Sequence, residues 1–212
     1  LKHIGRVIDN SKIDILGNLN IYSGLETALR YFLLRQGIEK ISSDLKNVSS
    51  THITASDEFL LSDTPSGEIE MPGETVIAKG YDCFIITTRR SLEKTFSYSI
   101  PAVGKWSFPE FEFIIDYVKA DELSPDDESV AYFDPDAAAL PLQVKSFAPG
   151  DRFYPLGMME PKKLQDYFTD IKMPRFMRQR VPIFTCGGEI MWIGGLRIDE
   201  RFKVRNKDSE VL

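Results

Sequence analysis

Apolar residues at Leu25, Ala28, Leu29, Phe32 and Leu33 recur at i, i+3, i+4, i+7 and i+8, the spacing that lines one face of an α-helix. Ser23 and Glu26 supply an S-x-x-E capping box in front of them, so the pattern predicts a helix over 24–36, with Gly37 as the left-handed residue that ends it. Ile38–Leu45 and Ser50–Leu61 can add one or two more helices. From Gly67 the period shortens. EIEM, TVIA and DCFIIT alternate or are β-branched, and Pro72-Gly73 and Gly80 separate them, which predicts short strands. After a polar joint at Arg89–Lys94, TFSYSI, KWSFPEF and EFIIDYVKA read as aromatic strands, and PLQVKSF, VPIFT, EIMWIGG and RFKVR as later ones. Pro161–Phe168 and Pro174–Arg180 read as short helices opened by proline at the first helical position. Asp121–Glu128 and Asp134-Pro135-Asp136 are polar connectors. The expected fold class is α+β: a small helical domain with a short β element over residues 1–90, then a strand-rich mixed α/β domain over 91–212.

Charge sharpens this division. The 212-residue chain carries 26 Lys+Arg against 32 Asp+Glu, yet from Pro141 onward there are 13 basic and 9 acidic residues, a net of +4. The remainder, 13 basic and 23 acidic, holds −10. Such asymmetry suits a nucleic-acid-facing end and a solubilising or protein-facing end; an uneven scatter of charges explains it equally well. Cys83 and Cys186 have no metal-ligand spacing, so two reduced thiols in the cytoplasm are expected. No apolar run approaches membrane-spanning length, and LKHIGRVIDNSK lacks a signal peptide's apolar core. A first residue of Leu rather than Met suggests a piece of something longer.

The basic residues concentrate in Gly150–Lys203, with ten basic side chains and four prolines. Lys162 and Lys163 fall in the first turn of one predicted helix and Arg175 in that of the other, where the helix dipole disfavours positive charge. A bound phosphate would compensate; a merely solvated face is the alternative. Other chemistry finds little support. His3 and His52 lack partners, Asp166, Asp170 and Asp199 read as ion-pairing charges rather than an acid–base cluster, and Cys186 has no neighbouring base. Phe153, Tyr154, Tyr167, Trp192, Trp106, Phe108, Phe111 and Phe113 read as core aromatics.

The succession GDRF-x-PLGM, KKLQDYF, K-x-PR-x-x-R-x-RVP, a Gly-Glu-Ile-x-Trp strand and G-x-RIDERFKV resembles the C-terminal domain of bacterial tRNA(Ile)-lysidine synthetases across residues 141–205. Upstream, SGEIEMPGETVIAKGYDCFII is similar to the family's middle domain, with Met71-Pro72-Gly73-Glu74 where Leu-Pro-Gly-Gly is usual. The resemblance implies an enzyme that adenylates C2 of the wobble cytidine with ATP and lets lysine displace AMP to form lysidine. It further implies an N-terminal ATP-pyrophosphatase domain that supplies a Ser-Gly-Gly-x-Asp-Ser loop and holds ATP and Mg²⁺. Ser23-Gly24, Ser66-Gly67 and Gly187-Gly188 are the nearest approaches to that loop here. The chain is therefore expected to be a middle plus C-terminal portion without catalytic residues, metal site or activity of its own. Its expected partners are tRNA(Ile), the catalytic domain of the same enzyme and a second copy in a homodimer. Within it, Lys145, Arg152, Lys162, Lys163, Lys172, Arg175, Arg178, Arg180, Arg197, Arg201 and Lys203 would grip the RNA backbone. Arg197 and Arg201 could instead pair with Asp199 and Glu200. The rival expectation is a protein-interaction or dimerisation module without RNA affinity, and a free-standing hydrolase lacks a convergent nucleophile and base.

Overall fold

The computed structural model describes residues 14–43, 45–119, 129–205 and 210–212. His3 and the acidic connector Asp121–Glu128 lie outside these residues. The chain is mixed α/β and forms two compact units. The first, a helical unit, runs to Lys94 and takes in the later segment Lys172–Met177; the second, strand-rich, comprises Thr95–Ile171 and Arg178–Leu212.

The helical unit holds strands β1 (Ile15–Asn18), β2 (Ser66–Glu70), β3 (Thr75–Gly80) and β4 (Cys83–Thr88) in an antiparallel sheet of order β1-β4-β3-β2. Four helices accompany them: α1 (Leu19–Ser23), α2 (Thr27–Ser42), α3 (Ser50–Leu61) and the single turn α4 (Arg89–Leu92). Strand β3 is buried along its whole length, which explains its unalternating apolar pattern. Leu34, Ile38, Ile53, Ile77 and Ile86 form the centre of the core. Each fully buried side chain of this size contributes about 1.5–3 kcal/mol.

The expected α2 start, end and buried face are all corrected. Ser23 does not cap α2: it closes α1, its hydroxyl donating to the Asn20 carbonyl at 3.1 Å, and α2 begins at Thr27 with no side-chain cap on Glu26. Asn18 is the cap that forms, accepting from the Asn20 and Ile21 amides at 2.9 and 3.1 Å. Gly37 lies inside α2 rather than after it; a Cβ there would stand 2.5 Å from Ile86 Cδ1, so glycine lets helix and sheet approach closely. The helix ends at Ser42, and Ser43 takes the left-handed conformation. α2 is apolar on two sides. The core takes Leu34, Gly37 and Ile38, while Leu29, Phe32 and Leu33 are 45%, 56% and 43% exposed. Helix α3 spans the expected residues, with Ser49 and His52 forming a reciprocal capping box.

Two buried polar arrangements tie these helices together. Asp57 accepts from the Tyr22 hydroxyl at 2.6 Å and from Arg30 at 2.8 and 3.1 Å, linking α1, α2 and α3. Burial raises the carboxyl's pKa, but the bonds from Arg30 and Tyr22 outweigh it and leave the net value below the ordinary one. Lys79, buried on β3, donates to the carbonyls of Ser62 and Phe59 at 2.5 and 3.3 Å and so satisfies the end of α3.

In the strand-rich unit, β5 (Ser97–Ile100), β9 (Leu142–Lys145), β12 (Ile183–Cys186), β13 (Glu189–Ile193) and β14 (Arg197–Ile198) form an antiparallel sheet of order β14-β13-β12-β9-β5. The hairpin β6 (Gly104–Ser107) and β7 (Glu112–Ile115) supplies Trp106, Phe108, Phe111 and Phe113 to one aromatic cluster, in which Tyr98 and Phe108 stack at 4.0 Å. Strand β8 (Val118–Lys119) pairs with β15 (Glu210–Val211). RFKVR, expected as a strand, is a 3-10 turn over Glu200–Phe202 followed by a single bridge at Lys203. Asp199 caps that turn through the Arg201 amide at 2.9 Å, and Phe202 is buried.

Candidate nucleic-acid interface

The GDRF motif begins a two-stranded ribbon, β10 (Arg152–Phe153) with β11 (Lys162–Lys163), followed directly by helix α5 (Leu164–Asp170). The expected helix from Pro161 is therefore corrected. Phe153 and Leu164 are fully buried, and strand pairing holds Lys162 and Lys163 extended. Neither lysine is in a first helical turn; that turn carries Asp166, the sign the dipole favours. In the ribbon's register Arg152 stands directly opposite Lys163, and Phe153 opposite Lys162. Alternation puts Phe153 and the half-buried Lys162 on the inner face and the two exposed cations on the outer one.

Between the strands, residues 154–161 form a firmly held loop. The Tyr154 amide donates to Asp199 at 2.9 Å and its carbonyl accepts from the Glu200 amide at 2.7 Å. The Leu156 amide donates to Ile198 at 3.1 Å, its carbonyl accepts from Arg197 at 2.7 Å, and the Gly157 amide donates to Glu200 at 2.8 Å. A Met158 amide to Pro155 carbonyl bond of 2.8 Å closes the turn, with Gly157 at φ 88°. That left-handed conformation favours glycine. At the tip Met158 and Met159 are 45% and 85% exposed.

The eleven cations have different fates. Lys145 pairs with Asp151 at 2.7 Å, and Asp151 also accepts from the Ala148 amide, so this lysine braces the GDRF turn. Arg201 is held by Asp199 and Glu189, with closest contacts of 2.9 and 2.8 Å, and covers the Tyr154 ring at 4.6 Å. Those bonds raise its pKa further. Lys162 pairs with Asp170 and Lys203 with Glu200. The Lys203 ammonium, then the Gly157 amide, hold Glu200 below the usual carboxylate range. Arg178 is buried, donating to Thr169 at 3.2 Å above the Phe168 ring. Arg180 is half-buried and already engaged by other groups. Arg197 is exposed, with one nitrogen spent on Leu156.

Among the described residues, Arg152 and Lys163 on the strand-rich unit carry no ion pair, and neither do Lys172 and Arg175 on the helical unit. Lys172 takes a left-handed φ of 55°, and Arg175 opens the single turn α6 (Arg175–Arg178), which follows Pro174. Stability accounts for Lys145, Lys162, Arg178, Arg201 and Lys203. What remains on the ribbon is an exposed pair of like charges suited to one anion. Asp199 is fully buried and pairs with Arg201, the alternative the sequence offered for that arginine. Sequence reasoning passed over the loop tip, whose signal was two adjacent methionines between Gly157 and Pro161. Among the described residues, no three His, Cys, Asp or Glu side chains gather as a metal ion would require.

Residues 142–212 match the family model described as the TilS substrate C-terminal domain. The chain is 32% identical over 196 residues to the tRNA(Ile)-lysidine synthase of Caldanaerobacter subterraneus subsp. tengcongensis, covering 88% of this chain and 40% of that protein. The enzyme of the same name from Geobacter sulfurreducens is 30% identical, covering 83% and 38%, and that from Dehalococcoides mccartyi 32%, covering 89% and 41%. A solved TILS C-terminal domain covers 56% of this chain and 92% of its own at 25% identity, with a TM-score of 0.49. The chain spans about 40% of the length of the curated relatives it matches. Both units are involved in this similarity, since the matched stretches extend well beyond residues 142–212, and the chain is homologous to the C-terminal part of tRNA(Ile)-lysidine synthases.

Proposed function

We propose that this chain is the tRNA-holding part of a tRNA(Ile)-lysidine synthase, and that the Arg152–Lys163 pair is a phosphate contact on the strand-rich unit. The cross-strand register carries the reading. Like charges directly opposite each other, about 4.5–5.5 Å apart at Cβ, destabilise a ribbon unless an anion neutralises them. Arg197 extends this basic surface beside the loop. On the helical unit Lys172 and Arg175 supply a second pair of exposed cations. Contacts of this kind set the register of an RNA and leave its sequence to be read elsewhere.

In this proposal the chain orients isoleucine tRNA while a separate ATP-activating domain of the same cytoplasmic enzyme holds ATP and Mg²⁺. That domain adenylates C2 of the wobble cytidine, and lysine then displaces AMP. The present residues contribute no group to either step and are inactive alone. Among the described residues no helix is long and apolar enough to cross a membrane.

The test is the salt dependence of binding to an isoleucine tRNA transcript. Replacing both Arg152 and Lys163 by alanine removes one phosphate contact, so the slope of log K against log salt should shrink by about 0.7–0.9. An unchanged slope and affinity would refute the assignment.

A second reading concerns the stripe Leu29, Phe32 and Leu33, exposed on one face of α2 beside a cleft of about 590 Å³ lined by Leu16, Leu33 and Phe84. It favours a protein partner in addition to RNA, and the occupant proposed is the ATP-activating domain of the same enzyme. Size-exclusion of the present chain tests this; a concentration-dependent dimer lost on Phe32→Ser would assign the stripe to a homodimer instead.

A further inference from the structure

We propose that Met158 and Met159 form an apolar tip that seats against the open face of an unstacked or terminal RNA base. The inference rests on the reading of the strand-rich unit as a tRNA-holding surface. Exposed methionines scattered singly need no explanation, but these two are adjacent and held on a loop whose backbone is fixed at Tyr154, Leu156, Gly157 and Met158. The loop's backbone is thus set as far as Met158 before any ligand arrives, so binding through it forfeits less backbone entropy.

The surroundings say what the tip meets. Arg197 holds the Leu156 carbonyl two residues before Met158, and the exposed Arg152–Lys163 pair lies at the root of the same ribbon. Exposed Glu160 follows Met159, but Arg152, Lys163 and Arg197 outnumber it, and an apolar point in a net cationic setting matches a nucleic acid, which offers anionic backbone around flat apolar base faces. A-form duplex buries those faces and its deep groove admits no side chain, so the faces available are those of unpaired or terminal bases. Methionine suits the task, being unbranched, polarizable and favourable against aromatic rings, and it serves elsewhere as a wedge between bases.

Binding is measured for the whole chain with an isoleucine tRNA transcript at two salt concentrations, comparing wild type with the M158S/M159S double variant. The expected result is affinity weakened by about threefold to tenfold with an unchanged salt slope, because a base-face contact releases no counterions. Peroxide oxidation of the wild-type methionines, followed by mass spectrometry, should slow severalfold at Met159 when tRNA saturates the protein. Thermal unfolding of the variant checks that the fold persists. Equal affinities with unprotected Met159 overturn the inference while leaving the phosphate assignment standing. Absence of wild-type RNA binding overturns both. Loss of a dimer in the variant with RNA affinity intact overturns it in favour of an interface between copies.

Discussion

Replacing Asp57 by asparagine should cost the helical unit much of its stability. The Asp57 carboxylate is 4% exposed and receives one hydroxyl and two guanidinium hydrogen bonds from Tyr22 and Arg30. An amide keeps the shape but loses the charge, and its nitrogen must face the donors of one partner. Breaking a buried, hydrogen-bonded ion pair from one side costs about 3–5 kcal/mol, a large share of the roughly 5–15 kcal/mol that holds a domain folded. At about 4–8 °C per kcal/mol for a unit of this size, the midpoint should fall by at least about 12 °C. Differential scanning calorimetry and urea titration measure both. The pH profile adds a signed test. Because the folded Asp57 carboxyl lies below its unfolded value of about 3.9, its contribution is complete above that pH. It is lost as pH falls through the folded value, whereas the asparagine variant lacks this acid-sensitive component. A shape-matched apolar set, D57L with R30M and Y22F, should recover most of the loss, since neither charge and no hydroxyl is then left buried alone. A loss below about 1 kcal/mol with an unaltered acid profile would refute the account of how α1, α2 and α3 are joined.

Two further substitutions probe the packing and the loop. Gly37→Ala places a methyl group against Ile86 Cδ1 and should destabilise the helical unit by about 1–3 kcal/mol despite alanine's better helix propensity; a stabilised protein in calorimetry would contradict the close helix–sheet approach. Asp199→Ala orphans the Tyr154 and Arg201 amides and leaves Arg201 paired with Glu189 alone, so it should cost about 1–3 kcal/mol; amide hydrogen exchange should accelerate across residues 154–158, and unchanged protection there would separate the loop from its support.

Much of the fold was legible in the chain, for reasons that also explain the failures. Strands β3 and β4 announce themselves because burial on both faces demands unbroken apolar runs. Helix α2 was legible as a helix but not in its orientation, since it carries apolar residues on two sides and periodicity cannot say which side meets the sheet. Pro161 was a sound sign of an approaching helix, yet pairing with Arg152–Phe153 displaced the start to Leu164. This single shift took the two lysines out of the first helical turn and left Lys163 as its N-cap. Basic residues were easy to find and hard to sort. Lys145 and Asp151 are six positions apart and Arg201 and Glu189 twelve, so their pairing depends on turns and strand register that local sequence does not reveal. Arg152 and Lys163 became a pair in the same way, through a register invisible until the ribbon closed.

The short segment Lys172–Met177, which joins the helical unit from far along the chain, has a practical consequence. A Cβ on Gly80 would lie 2.8 Å from Pro174, so the residue pair that closes this part of the unit is separated by more than ninety positions in sequence. No single cut in the polypeptide can release both units whole. A protein ending at Lys94 would lack six residues of its own unit, and one beginning at Thr95 would carry them with nothing of their own unit to join. During synthesis the helical unit therefore remains unfinished until most of the second unit has left the ribosome. Truncation studies that aim to assign RNA affinity to one unit would need to graft this segment back through a linker.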